Sequence, residues 1–353
     1  MKRRTFLKYS ALGALASLGL PAGIGSGVAA DFDRLRGLIE PVTAKKPYRI
    51  AFTAVHFIDE YWKGVAYGIS DEAKKTGVEI VRILSAGGYG KIPEQIAQLE
   101  TLATLDLDAV IIGAVSFDGL ERPLKRLAQK GVKLVAMDLT VKSDDVSLRV
   151  GQDQVAIGEA ISDYVCQLNP KAKMITIPGP AGVEWTAQRL EGVKKGAAKC
   201  SGMELLGNVL KGSTTLEDGQ SQASDLLIKY PDADYIYAAA ANLGTGAAQG
   251  AKRVNSKAKV VTSALTDKTV DMMNSGQIQM VISEPAVLIG RMTLQYTVRL
   301  LNGDPLPNLV KSGGLPYPSM DLPPKALTTE VLKNYDVTWY DQPPAGWNVP
   351  LTQ

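Results

Sequence analysis

Apolar positions along this chain recur at two periods that take turns. From Tyr48 to Val55 a run of β-branched, aromatic and small residues reads as a buried strand, and beyond it Trp62, Val65, Ala66, Ile69 and Ala73 recur at helical spacing until Gly77. A second strand leads towards Tyr89, so residues 48–90 predict a β-α-β unit. The alternation continues with helix 92–105, strand 109–115, helix 120–129, strands 133–139 and 147–153, and helix 155–168. A second series repeats it, with strands at 174–177, 203–210, 235–239, 259–263 and 280–283 and helices at 183–198, 217–229, 246–254, 268–274 and 288–301. Nearly all-apolar strands separated by amphipathic helices are covered on both faces, as in parallel sheets. The expected fold class is α/β, with two similar doubly wound parallel-sheet lobes joined by a hinge.

The pattern also places boundaries. Residues 31–153 are expected to form an N-terminal lobe and 154–302 a C-terminal lobe. From Gly303 the periodicity stops and prolines multiply, so 303–353 is expected to cross the hinge and run on as a tail over the surface. Trp339, Tyr340 and Trp347 in that tail are expected to pack on the lobes.

The first residues stand apart. K-R-R-T-F-L-K, a short apolar run from Ala11 to Leu20 and the small residues Val28 to Ala30 make residues 1–30 an export signal, similar to the twin-arginine type with Lys2 where Ser or Thr is usual. Losing its four basic and no acidic residues takes the formal charge from +3 to −1. The remaining Lys and Arg are interleaved with acids, which leaves no footprint for nucleic acid. No later apolar run reaches membrane-spanning length. The mature chain is therefore expected in the periplasm, outside the bilayer. Its two cysteines, Cys166 and Cys200, either bridge there or stay as buried thiols; the sequence leaves both open.

Catalytic chemistry is thinly represented. His56 is the only histidine, and no H-E-x-x-H or C-x-x-C spacing occurs, so no enzyme activity, metal or cofactor is expected. Gly244, Gly246 and Gly250 follow a predicted strand, but no acid closes the next one at Ser263. They read better as a site of close helix packing beside Asn242 than as a dinucleotide loop. In a parallel sheet a ligand sits at the carboxyl ends of the strands. That edge gathers His56, Phe57, Tyr61, Trp62 and Tyr89 in the first lobe, an aromatic group suited to a small solute with an apolar or cationic face.

Order of units, M-D-L at Met137 to Leu139, G-Q-D-Q-V-A-I-G at Gly151 to Gly158, Arg189 after P-G-P, and S-E-P at Ser283 to Pro285 together resemble the type I periplasmic binding proteins of the ribose-binding and lactose-repressor-like kind. The resemblance implies hinged lobes that close on a small molecule. Sugar-binding members carry an Asp-Arg pair where this chain has Asp138 and Leu139. Within the family, D-E-Y-W-K-G-V-A-Y-G at Asp59 to Gly68, E-I-V-R-I-L-S-A-G-G-Y at Glu79 to Tyr89 and P-G-P at Pro178 to Pro180 resemble sensors of trimethylamine N-oxide that signal to a membrane histidine kinase. Those imply an aromatic cage, matched by Tyr61, Trp62 and Tyr89, whereas Gln154 and Ala264 replace an expected tryptophan and tyrosine. The expected ligand contacts are Phe57, Tyr61, Trp62, Tyr89, Asp138, Gln154, Trp185, Arg189, Asn242 and Glu284. The expected partner is the periplasmic domain of a sensor histidine kinase or, alternatively, the permease of an ABC importer for a sugar or other small polar solute.

Overall fold

Strands of this chain are short, the central ones almost wholly buried and the edge ones less so, and they assemble into two six-stranded sheets. The computed structural model describes residues 34–311 and 314–351; the predicted export signal lies outside them. The chain divides after Pro41. Residues 34–41 carry one helical turn, and both sheets belong to the unit that begins at Val42.

The first sheet takes β1 (Arg49–Ala54), β2 (Glu79–Ser85), β3 (Ala109–Ile112), β4 (Lys133–Met137) and β5 (Val146–Gln152). The second takes β6 (Lys173–Ile177), β7 (Glu204–Leu206), β8 (Tyr235–Ala238), β9 (Lys259–Ser263) and β10 (Ile278–Ser283). Two late strands, β11 (Ser319–Leu322) and β12 (Lys325–Leu327), complete the sheets, in the orders β11-β5-β4-β3-β1-β2 and β12-β10-β9-β8-β6-β7. The lobes thus repeat one strand order. All pairings are parallel except β12 with β10.

Helices α1 (Glu60–Thr76), α2 (Ile92–Leu102) and α3 (Glu121–Gln129) alternate with the first strands. Helices α4 (Gln154–Leu168), α5 (Glu184–Lys199), α6 (Leu216–Lys229), α7 (Ala241–Arg253) and α8 (Asp267–Asn274) alternate with the second set. Helix α9 (Ala286–Asn302) and the single turns α10 (Thr329–Leu332) and α11 (Val337–Tyr340) follow. Local chemistry fixes their ends: the Asp59 carboxylate accepts from Trp62 N at 3.1 Å to start α1, and Asp153 caps Val155 and Ala156 to start α4.

Beyond shifted strand ends, the 303–353 segment departs from the expected surface tail by supplying β11 and β12 to the sheets, and two helices depart as well. Helix α7 begins at Ala241 rather than Gly246, because its glycines lower helix propensity yet let it lie against α6. A Cβ on Gly246 would fall 2.0 Å from the Leu216 carbonyl oxygen. Helix α9, expected in the 154–302 lobe, packs instead on α1 and beneath β3, β4 and β5 of the first sheet. Gly68 and Gly290 face each other there: a Cβ on Gly68 would lie 2.1 Å from Val287 O, and one on Gly290 2.4 Å from Val65 O. Every residue from Ala286 to Arg299 is buried, the polar ones included, so α9 has no solvent-exposed face to betray which lobe it serves.

The chain passes between the sheets three times: after β5, after β10, and between β11 and β12. Gln152 Nε2 donates to Ser283 O at 3.4 Å, linking the first two passages. Tail aromatics pack as expected, with Trp339 buried, Tyr335 stacked on Tyr340 at 4.8 Å, and Trp347 edge-on to Tyr67 of α1 at 5.4 Å. Cys166 and Cys200 are bridged, with Cα atoms 5.9 Å apart, joining the last turn of α4 to the end of α5. Among the described residues no helix is long and apolar enough to cross a membrane.

Candidate ligand-binding cleft

Carboxyl ends of both sheets open on one cleft of about 460 Å³, a size that suits a small organic molecule. Residues after β1, β2 and β4 supply the first lobe's wall, and those after β6, β8, β9 and β10 supply the second's.

Arg189 on α5 organises the second wall. It is 3% exposed. Its Nε donates to Gln154 Oε1 at 2.7 Å, and its Nη1 donates to Ala239 O at 2.9 Å, Ser263 Oγ at 2.7 Å and Glu284 Oε1 at 2.6 Å. The guanidinium also lies 4.7 Å from the centroid of the Trp185 ring. Burial alone would weaken its charge, but the adjoining Glu284 carboxylate more than restores it and raises its pKa. This knot ties α4, α5, β8, β9 and the passage after β10 to one cation.

Asp138 organises the first wall. It follows β4 in the left-handed region at φ 59°, a conformation that a non-glycine residue adopts at a cost. The backbone is held by Arg149, whose Nε donates to Asp138 O at 2.6 Å, and by Asp138 N donating to Val150 O at 2.8 Å. Its carboxyl is 7% exposed, and Oδ1 has no hydrogen-bond partner. Burial pushes its pKa up to about 6, partly offset by Arg149 and Tyr61 and reinforced by Glu284. The Tyr61 hydroxyl is close enough to perturb that carboxyl, yet it too lacks a partner in hydrogen-bond geometry. In the second lobe the equivalent position after β9 is Ala264, also left-handed at φ 63°. The lobes therefore share a bent strand end but only one carries a carboxylate.

Of the residues expected at the site, Tyr61, Tyr89, Asp138, Gln154, Trp185, Arg189, Asn242 and Glu284 all line the cleft. Two do not. Phe57 packs edge-on to Phe52, 6.2 Å between centroids, and lies outside the lining. Trp62 is fully buried: a Cβ on Gly113 would fall 2.5 Å from its ring, and its Nε1 donates to Tyr89 Oη at 3.4 Å. Adjacent helical residues point about 100° apart, so Tyr61 and Trp62 cannot both face the ligand space. Trp62 supports the cleft from behind. Trp62→Ala is accordingly expected to cost about 3–5 kcal/mol of stability, measured by urea denaturation, whereas Trp62→Phe should keep ligand affinity near wild type.

Asp341 has no signal in the sequence pattern. It reaches the cleft from the aperiodic tail, 3% exposed, accepting from Ser283 Oγ at 2.8 Å and Tyr335 Oη at 2.5 Å. Burial, with Glu284 nearby, raises its pKa to about 6 against those two hydrogen bonds. Asp59 is legible in the sequence only as a helix cap; it also lines the cleft, its Oδ2 3.6 Å from His56 Nε2. Among the described residues no group of three or more His, Cys, Asp or Glu is placed to hold a metal ion.

Residues 50–305 match the periplasmic binding protein domain family. The fold superposes on the substrate-binding protein of a sugar ABC transport system from Bordetella parapertussis 12822 with a TM-score of 0.84 and 36% identity, covering 90% of this chain and all of that one. Periplasmic protein TorT of Escherichia coli (strain K12) is 22% identical over 271 residues, 74% of this chain and 75% of TorT. The ribose import binding protein RbsB of Haemophilus influenzae is 23% identical over 276 residues, 76% of this chain and 91% of that protein.

Proposed function

Because this chain belongs to the periplasmic binding protein domain family, we propose that it is an exported solute receptor whose lobes close on one small polar molecule and whose closed form a membrane partner reads. One observation carries the proposal. Buried polar atoms without partners converge from both walls: Tyr61 Oη and Asp138 Oδ1 from the first lobe, Trp185 Nε1 from the second. Each such atom costs about 1–3 kcal/mol while unpaired. A solute that satisfies both walls at once stabilises the closed form by its differential affinity, which is all that a population shift requires.

Asp138, Gln154, Asn242 and Glu284 in the lining favour a hydroxylated solute passed to the permease of an ABC importer, in line with the sugar-transport relative from Bordetella. The twin-arginine-like head supports export in the folded state. A second reading, sensing of trimethylamine N-oxide for a membrane histidine kinase, is favoured by the rings of Tyr61, Tyr89 and Trp185 in the lining and by the likeness to TorT. The hydroxyl of Tyr61 and the indole N–H of Trp185 are donors that an N-oxide oxygen would accept. That ligand brings no donor, however, and leaves Asp138 Oδ1 unmet.

A thermal-shift panel of sugars, polyols, methylated amines and trimethylamine N-oxide on the mature protein tests the proposal. A ligand at about 100 times its Kd adds about 2.7 kcal/mol, a rise of several degrees. A rise with a hydroxylated solute supports the importer reading, and one with the amine oxide alone supports the sensor reading. If no class raises the melting temperature, the receptor proposal fails.

A further inference from the structure

Charge in the cleft is one-sided. Five carboxylates line it, Asp59, Glu60, Asp138, Glu284 and Asp341, against three basic side chains, His56, Arg189 and Lys268. Arg189 is already committed to Glu284, Gln154, Ser263 and the Ala239 carbonyl. Lys268 is exposed at the rim. Glu60 pairs with Lys63 at 2.9 Å and Asp59 faces His56 at 3.6 Å, which leaves Asp138 and Asp341 without an ion pair beside a space walled by Tyr61, Tyr89 and Trp185.

A second observation is a single atom. Asp138 Oδ1 belongs to a side chain more than nine-tenths buried, faces the lining and accepts no hydrogen bond. An ionised carboxylate is an acceptor only, with room for more than the Tyr61 hydroxyl beside it, so what completes Oδ1 must be a donor. With Asp138 and Asp341 lacking an ion pair, a donor that brings positive charge neutralises the cleft when water leaves. A sugar hydroxyl donates without charge. A quaternary ammonium or an N-oxide brings a cationic centre without a donor. A protonated amine supplies both, and aromatic faces nearby favour a cation further.

Resting on the solute-receptor reading above, we infer that the solute carries a protonated amine, received by Asp138 Oδ1 with Glu284 as the second charge, on a hydroxyl-bearing body: an amino sugar or amino polyol. Gln154 and Asn242, also in the lining, suit the hydroxyls of such a body.

Matched pairs test this in phosphate buffer by titration calorimetry on the mature protein: tris(hydroxymethyl)aminomethane against pentaerythritol, and glucosamine against glucose. The ammonium member of each pair is expected to bind about tenfold tighter or more. Asp138→Asn is expected to erase that difference with a melting temperature no lower than wild type. Equal or tighter binding of the neutral members, or an uncharged compound as the best ligand of the wider panel, overturns the inference while the receptor reading stands. An ammonium preference that survives Asp138→Asn unchanged overturns the assignment to Asp138. No binding by either pair or by any compound of the panel overturns both readings.

Discussion

Arg189→Ala is expected to remove about 3–5 kcal/mol of stability and to abolish solute binding. The cost comes from the groups left behind. The guanidinium serves four acceptors at once, among them a Glu284 carboxylate whose side chain is only 12% exposed. Without it, Glu284 loses its ion-pair partner in a cleft that already holds other carboxylates, and Ser263 and Gln154 lose the cation that orients them. Arg189→Lys retains the charge but not the planar fork, so it should recover part of the stability and little of the geometry. Urea denaturation with and without ligand measures both. A wild-type midpoint for Arg189→Ala would mean that the knot contributes nothing net, as some buried pairs do when replaced by apolar groups.

Asp138→Asn should act in the opposite direction, stabilising the ligand-free protein by about 2–3 kcal/mol at pH 8. Asparagine tolerates the left-handed backbone at φ 59°, so the change isolates the charge. The sign follows from linkage. A carboxyl whose pKa rises from 3.8 unfolded to about 6 folded makes the native state bind more protons than the unfolded one between those values. Wild-type stability therefore falls as pH climbs from about 4 to about 6 and stays reduced above. Below that window Asp138 is neutral in both states, and the two proteins should converge. Asp341, also raised to about 6, contributes the same slope to both proteins and drops out of the difference. Melting curves from pH 4 to pH 8 check the prediction; a constant gap across that range would sink it. A residue that weakens the empty receptor is what a binding site tuned for its ligand would hold.

Much of this molecule is legible in its sequence because the signals are local. Periodicity locates both series of strands and helices, since each strand needs cover on two faces and each helix on one. It locates the cleft as well, because strand ends in a parallel sheet share an edge, and so eight of the ten expected site residues line it. The failures have physical causes. Trp62 and Tyr61 are neighbours in sequence, but only Trp62 shares the apolar stripe of Val65, Ala66, Ile69 and Ala73 that turns inward, a signal the expected cage overrode. Helix α9 is buried on every side, its Arg291 and Gln295 turned to Asp71 and Glu72 of α1, so no solvent-facing stripe could report that it had changed lobes. Asp341 comes from a segment held by tertiary contacts to Ser283 and Tyr335 rather than by periodicity. Ile278 and Lys173 lie just outside the predicted strands, an ordinary uncertainty of ends.

The union of α1 with α9 through Gly68 and Gly290 bears on the order in which the chain can become a structure. Residues some two hundred positions apart must meet before the first lobe has its inner helix, and β11 must arrive later still to finish the sheet beside β5. Contacts of such long range are slow to form, because a large loop has to close before any of them is rewarded. As the chain emerges, its first half presents a glycine-lined face of α1 with nothing to lie against it. That lobe cannot be excised as an independent fragment. The strand that completes the first lobe's sheet, β11, is made after every other strand except β12.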